Sequence, residues 1–172
     1  ERRELTLHVG AGTFRPVKSE RIGEHDMHSE FIAVSRTFIS DLADAAGQRP
    51  VVAVGTTSVR TLESLYHIGR LIASGKWNGE LPQWTPYDDT DSTPDAAEAL
   101  RAIVAWLDSR GDDTLMARTR IIIAPGYTYR IVSAIITNFH QPQSTLLLLV
   151  SAFIGDAWRD IYTHALDSDY RF

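Results

Sequence analysis

At 172 residues, 44% of them hydrophobic and 23% charged, the chain has the composition of a soluble globular domain with a sizeable core. The absence of cysteine excludes a disulfide framework and any cysteine-based zinc site, and it fits a cytoplasmic protein. A formal net charge of -5 argues against an autonomous nucleic-acid-binding module; Arg2/Arg3, Arg15/Lys18/Arg21 and Arg118/Arg120/Arg130 read as scattered surface charge. The first residues are charged and lead into a strand pattern, which does not resemble a secretory signal.

In chain order, residues 4–9 alternate, with Leu5, Leu7 and Val9 opposite Thr6 and His8, and predict a strand with one polar face. Gly10-Ala11-Gly12-Thr13 ends it in a turn. Residues 35–47 place Phe38, Ile39, Leu42 and Ala46 at helical spacing, with Gly47 as C-cap. Residues 51–54 are apolar throughout and predict a short strand of the buried kind. Gly55-Thr56-Thr57-Ser58 follows. A helix over 59–74 sets Leu62, Leu65, Ile68 and Ile72 on one side, with Gly69 inside it.

Residues 75–92, rich in Trp, Pro, Gly and Asp, predict a long loop excursion. Thr93-Pro94-Asp95 opens a helix: Thr caps, Pro takes the first turn, and Asp complements the dipole. Residues 118–124 and 129–139 read as adjacent strands joined at Pro125-Gly126. Residues 144–155 form a buried helix, whose apolar run is about half of the ~20 residues a membrane helix needs. A last amphipathic helix spans 157–166. The alternation gives an α/β class, a mixed sheet with flanking helices. The chain is expected to be one α/β domain portion over 1–172, with 93–110 as an inserted helix.

Four clusters can carry chemistry. Gly10-Ala11-Gly12-Thr13 lets backbone approach a ligand closely, yet lacks the third Gly of a dinucleotide fingerprint and is equally a tight turn. His25-Asp26-Met27-His28-Ser29-Glu30 shows no full metal-ligand set. In an extended segment His28 and Glu30 share a face, which suits acid–base work, and a solvated polar segment remains open. Gly55-Thr56-Thr57-Ser58-Val59-Arg60 offers free N–H groups at a helix start, a cradle for an anion or ligand without the Lys of a P-loop; a plain helix cap is the alternative. Thr137-Asn138-Phe139-His140-Gln141-Pro142-Gln143-Ser144-Thr145 puts an imidazole, an amide and hydroxyls just before the buried helix, where a strand, a Pro turn and a cap would also suffice. His67 and His164 fall inside helices and read as structural. Neither Ser58 nor Ser144 lies in a Gly-x-Ser-x-Gly elbow, so a serine hydrolase is disfavoured.

Together these segments resemble the S-adenosylmethionine:tRNA ribosyltransferase-isomerase family of queuosine biosynthesis. The matching stretches are Leu5-Thr6-Leu7-His8-Val9-Gly10-Ala11-Gly12-Thr13-Phe14, Met27-His28-Ser29-Glu30, Val54-Gly55-Thr56-Thr57-Ser58-Val59-Arg60, and Thr137-Asn138-Phe139-His140 with Ser144-Thr145-Leu146 through Val150-Ser151-Ala152-Phe153. They cover most of 4–74 and 118–172. Departures are Gln141 in place of a Leu, a longer 75–117 connection, and the missing N-terminal half and short C-terminal tail of the family.

The resemblance implies a portion of a larger protein with an α/β domain and a second, β-barrel domain that this chain lacks. It implies transfer of the ribosyl part of S-adenosylmethionine to 7-aminomethyl-7-deazaguanine at the tRNA wobble position, giving epoxyqueuosine, adenine and methionine. His28, Glu30 and His140 would be catalytic. His8, Gly10, Gly12, Thr13, Thr56, Thr57, Ser58, Arg60 and Asn138 would bind substrate. It implies no metal, no cofactor beyond S-adenosylmethionine as co-substrate, the tRNA anticodon region as partner, and a monomer in the cytoplasm away from membranes. The competing class is a nucleoside- or RNA-binding domain without catalysis.

Overall fold

A computed structural model describes residues 2–7, 22–88 and 93–171. Among the described residues, five strands and five helices follow a short 3-10 turn, Ile22–Glu24. Strand β1 (Glu30–Ser35) runs directly into α1 (Arg36–Ala45), because Ser35, itself still extended, caps the helix; its hydroxyl accepts from the Phe38 amide at 3.2 Å. Next come β2 (Val52–Val54) and α2 (Thr56–Ala73). β3 (Glu80–Leu81) and a 3-10 turn at Thr85–Tyr87 lie within the expected excursion. α3 (Ala96–Arg110) starts at Asp95, whose carboxylate accepts from the Glu98 amide at 2.7 Å; Asp95, not Thr93, is therefore the cap. β4 (Thr114–Thr119), β5 (Ala134–Ile136), α4 (Thr145–Ile154) and α5 (Trp158–Asp167) complete the order.

The architecture is mixed α/β, as the sequence predicts. One sheet has the order β1-β4-β3, with β1 antiparallel and β3 parallel to β4; Glu30 faces Thr119 and Ser35 faces Thr114. The second is the parallel pair β2-β5, with Val54 opposite Ile136. α3 packs on both α1 and α2. Ile32, Val34, Ile39, Leu65, Ile103 and Leu115 join one buried cluster, where each fully buried side chain stabilises the fold by ~1.5–3 kcal/mol.

Three expectations need correction. Segments 118–124 and 129–139 do not pair. β4 begins at Thr114 and ends at Thr119, and β5 belongs to the other sheet. The apolar run Ile121-Ile122-Ile123 is buried as a strand would be, but its backbone is served from elsewhere. The Ile122 amide donates to the Gln83 carbonyl at 3.4 Å, and the Tyr87 hydroxyl donates to the Ile122 carbonyl at 3.2 Å. β2 is not buried on both faces: Val52 is 51% and Val54 66% exposed, beside Ile136 at 59%. The strand expected over 4–9 shows a single bridge between Leu7 and Ile32; its residues 8 and 9 lie outside the described residues. No helix among the described residues is long and apolar enough to cross a membrane.

Candidate active site

His28, Glu30 and Arg60 meet. Glu30 opens β1 on its inward face, in line with Ile32 and Val34, so its carboxylate is carried into the interior and is 3% exposed. Arg60, in the second turn of α2, is also 3% exposed. One oxygen, Glu30 Oε1, accepts from Arg60 Nη1 at 2.9 Å and from His28 Nε2 at 2.9 Å. Burial pushes the Arg60 guanidinium below its usual value, and the Glu30 carboxylate pulls it back. Arg60 Nε and Nη2 are buried and have no hydrogen-bond partner among the described residues. A buried donor left unmade costs ~1–3 kcal/mol, so this edge of the guanidinium is suited to an incoming anion.

Gly55 makes the turn from β2 into α2 at φ 86, a conformation that favours glycine, and its amide donates to the Ile136 carbonyl at 2.8 Å. That bond extends the parallel pairing by one step. It brings the start of α2, with Thr56, Thr57 and Ser58, beside the chain leaving β5 toward Thr137 and Asn138. Thr56 is buried, and among the described residues no side chain caps this helix start. In the 137–140 turn, Thr137 Oγ1 and His140 Nε2 lie 3.0 Å apart, and the His140 amide donates to the Tyr162 hydroxyl at 3.0 Å. Burial pushes the His140 imidazole below its usual value, so it is neutral near pH 7. Asn138 is exposed. His8, Gly10, Gly12 and Thr13 lie outside the described residues.

A cavity of about 690 Å³ lies beside β2, walled by Phe38, Val52, Val54 and Leu62. Its lining includes Ser58 but none of His28, Glu30, Arg60 and His140. Its lining also carries the charged side chains Arg2, Arg3, Glu4, Asp41, Asp44 and Arg49, and the His28–Glu30–Arg60 group lies outside it. Among the described residues no three His, Asp or Glu side chains gather as a metal site.

The sequence gives no warning of Glu63. This α2 carboxylate is fully buried and accepts from the Tyr127 hydroxyl at 2.7 Å and from the amides of Arg130, Ile131 and Val132 at 2.9, 3.0 and 2.8 Å. It holds the segment that leads into β5, and through β5 the Thr137–His140 turn. His67 donates from Nε2 to the Tyr127 hydroxyl at 3.1 Å, and burial among cations drops its pKa to about 3. Burial and the Glu63 charge push the Tyr127 and Tyr129 phenols up. Glu63 resembles any solvent-facing helix residue in a one-sided reading of α2. In fact α2 is buried on every side from Val59 to Gly69.

The whole chain, residues 1–172, matches the family model described as queuosine biosynthesis protein. The chain belongs to that family. A curated relative from Herminiimonas arsenicoxydans, an S-adenosylmethionine:tRNA ribosyltransferase-isomerase, is 42% identical over 98% of this chain and 38% of its own length. A protein of the same name from Cupriavidus metallidurans is 44% identical over 98% of this chain and 37% of its own. The crystal structure of an S-adenosylmethionine tRNA ribosyltransferase from Thermotoga maritima superposes with a TM-score of 0.52 at 30% identity, over 83% of this chain and 37% of that one. This queuosine-family chain thus spans well under half the length of the relatives it matches.

Proposed function

We propose that this chain is the portion of a tRNA-modifying transferase-isomerase that carries the acid–base centre. The enzyme moves the ribosyl part of S-adenosylmethionine to 7-aminomethyl-7-deazaguanine at the tRNA wobble position, yielding epoxyqueuosine, adenine and methionine. The carrying observation is the His28–Glu30–Arg60 assembly, built from two of the motifs that define the resemblance, inside a chain matched to the family over its whole length.

The chemistry needs a base for the ribose 5′ proton, which the adjacent sulfonium acidifies, and a proton source for departing adenine. His28, with Glu30 held against it, and His140 form the acid–base set. His140, being neutral, enters the cycle as a hydrogen-bond partner or base and donates only after it has gained a proton. The start of α2, with Thr56, Thr57 and Ser58, and Asn138 across from it, would hold ribose and base oxygens. The unpartnered edge of Arg60 would hold a carboxylate or phosphate of substrate. His8, Gly10, Gly12 and Thr13 are assigned to substrate binding on their motif alone. The enzyme would act as a cytoplasmic monomer on the anticodon region of tRNA, with its second, β-rich domain outside this chain. It would use no cofactor beyond its co-substrate.

Adenine release from S-adenosylmethionine, measured with and without tRNA bearing the aminomethyl-deazaguanine base, tests the reading. Release that depends on tRNA is expected of the full-length protein, with a loss of ~100-fold or more in turnover for His28→Ala and His140→Ala. No release from a folded full-length protein would leave a binding module that keeps the scaffold without the reaction.

A further inference from the structure

We infer that Glu30 is a positioning residue, one that fixes His28 so that the imidazole takes the substrate proton on Nδ1. The inference rests on the ribosyl-transfer reading of the site and divides the labour within it. Glu30 Oε1 lies 2.9 Å from both Arg60 Nη1 and His28 Nε2. A guanidinium can only donate, and a carboxylate paired with it can only accept. A ring that takes a proton in the step therefore carries its hydrogen on Nε2, facing Glu30, and its lone pair on Nδ1.

Accessibility runs the same way along the three residues. The Arg60 and Glu30 side chains are 4% and 2% exposed, and that of His28 is 21%. His28 is the outer member and the one a substrate atom can reach. To take a proton itself, Glu30 would have to surrender an ion pair inside the protein, which leaves a buried guanidinium uncompensated. His28 needs no such loss. In the proposed step the ribose C5′–H bond breaks and an Nδ1–H bond forms. The electron pair stays on C5′ next to the sulfonium, and the new imidazolium charge faces the Glu30 carboxylate. Arg60 holds that carboxylate in place.

Two measurements on the full-length protein test this. The first is a long-range 1H–15N spectrum of 15N-histidine-labelled protein, with His28 assigned by its loss in His28→Gln. A single Nε2–H tautomer is expected; an Nδ1–H tautomer would overturn the inference. The second is a double-mutant cycle on adenine release. Glu30→Gln, near-isosteric and still an acceptor for Arg60, is expected to lower kcat ~10–100-fold with KM for S-adenosylmethionine changed less than threefold. In a His28→Ala background the same substitution should cost less than twofold, because Glu30 acts only through the ring. Full additivity would show Glu30 to be an acid or base in its own right and overturn the assignment. If Glu30→Gln does not fold, Glu30→Asp replaces it in the same cycle. A wild-type protein that releases no adenine would sink the ribosyl-transfer reading, and the tautomer alone would then decide how Glu30 holds His28.

Discussion

Glu63 shows how a single buried carboxylate can substitute for a strand. Its two oxygens serve three consecutive amides and one phenol, so the 130–132 backbone needs no neighbouring strand to satisfy it. Glu63→Gln keeps the shape but turns an amide NH2 toward two of those donors. With ~1–3 kcal/mol for each orphaned donor, a loss of roughly 2–6 kcal/mol is expected in urea unfolding. A loss below about 1 kcal/mol would mean that the network is not formed in solution. His67, on the same phenol, adds a pH dependence. Its folded pKa of about 3 lies below the unfolded 6.5, so between these values the unfolded chain binds a proton that the folded chain does not. The stability it contributes is complete above pH 6.5 and is lost progressively as pH falls toward 3, by an amount on the order of a few kcal/mol. The urea midpoint should therefore fall between pH 7 and pH 4. His67→Gln, which can still donate to Tyr127 but does not titrate, should flatten that fall.

At the scale of elements, α2 and α3 cross at Gly69. A Cβ built there would lie 2.1 Å from the Ala99 carbonyl oxygen, a backbone atom that cannot yield without moving α3. Gly69→Ala gains ~1 kcal/mol in helix propensity and loses more in overpacking, so a net destabilisation of ~1–3 kcal/mol and a lower Tm are expected. An unchanged or raised Tm would show that the helices stand further apart. The helices were legible in the sequence because their cues are local: Phe38, Ile39 and Leu42 give α1 its helical spacing, and Ser144 caps α4 where the polar turn meets the apolar run. Gly69 was legible only as a weakness, since the neighbour that requires it is thirty residues away. Strands fared worse for a related reason. Ile121-Ile122-Ile123 has the run of a buried strand, and only the tertiary fold shows that Gln83 and Tyr87 take up its backbone.

For the whole molecule, the candidate site was legible as motifs but not as an arrangement. The pairing of His28 with Glu30 follows from alternation along an extended segment, whereas Arg60, thirty residues from Glu30 in the chain, reaches it only through the tertiary fold. The role of Glu63 depends on residues more than sixty positions distant. The outer face of β2 and β5 departs from the rule that parallel strands are covered on both sides. In this chain Val54→Thr, at a side chain two-thirds exposed, should change stability by less than ~0.5 kcal/mol in urea unfolding. A loss of 2 kcal/mol or more would mean that this face is covered in solution. The Glu63 clamp, finally, has a signature in time. Surface loops normally trade their amide hydrogens with water quickly. The amides of Arg130, Ile131 and Val132 belong to no helix or strand, yet they can exchange only when α2 itself lets go. In deuterium exchange they should be as slow as the centre of α2, and Glu63→Gln should quicken them ahead of the helix.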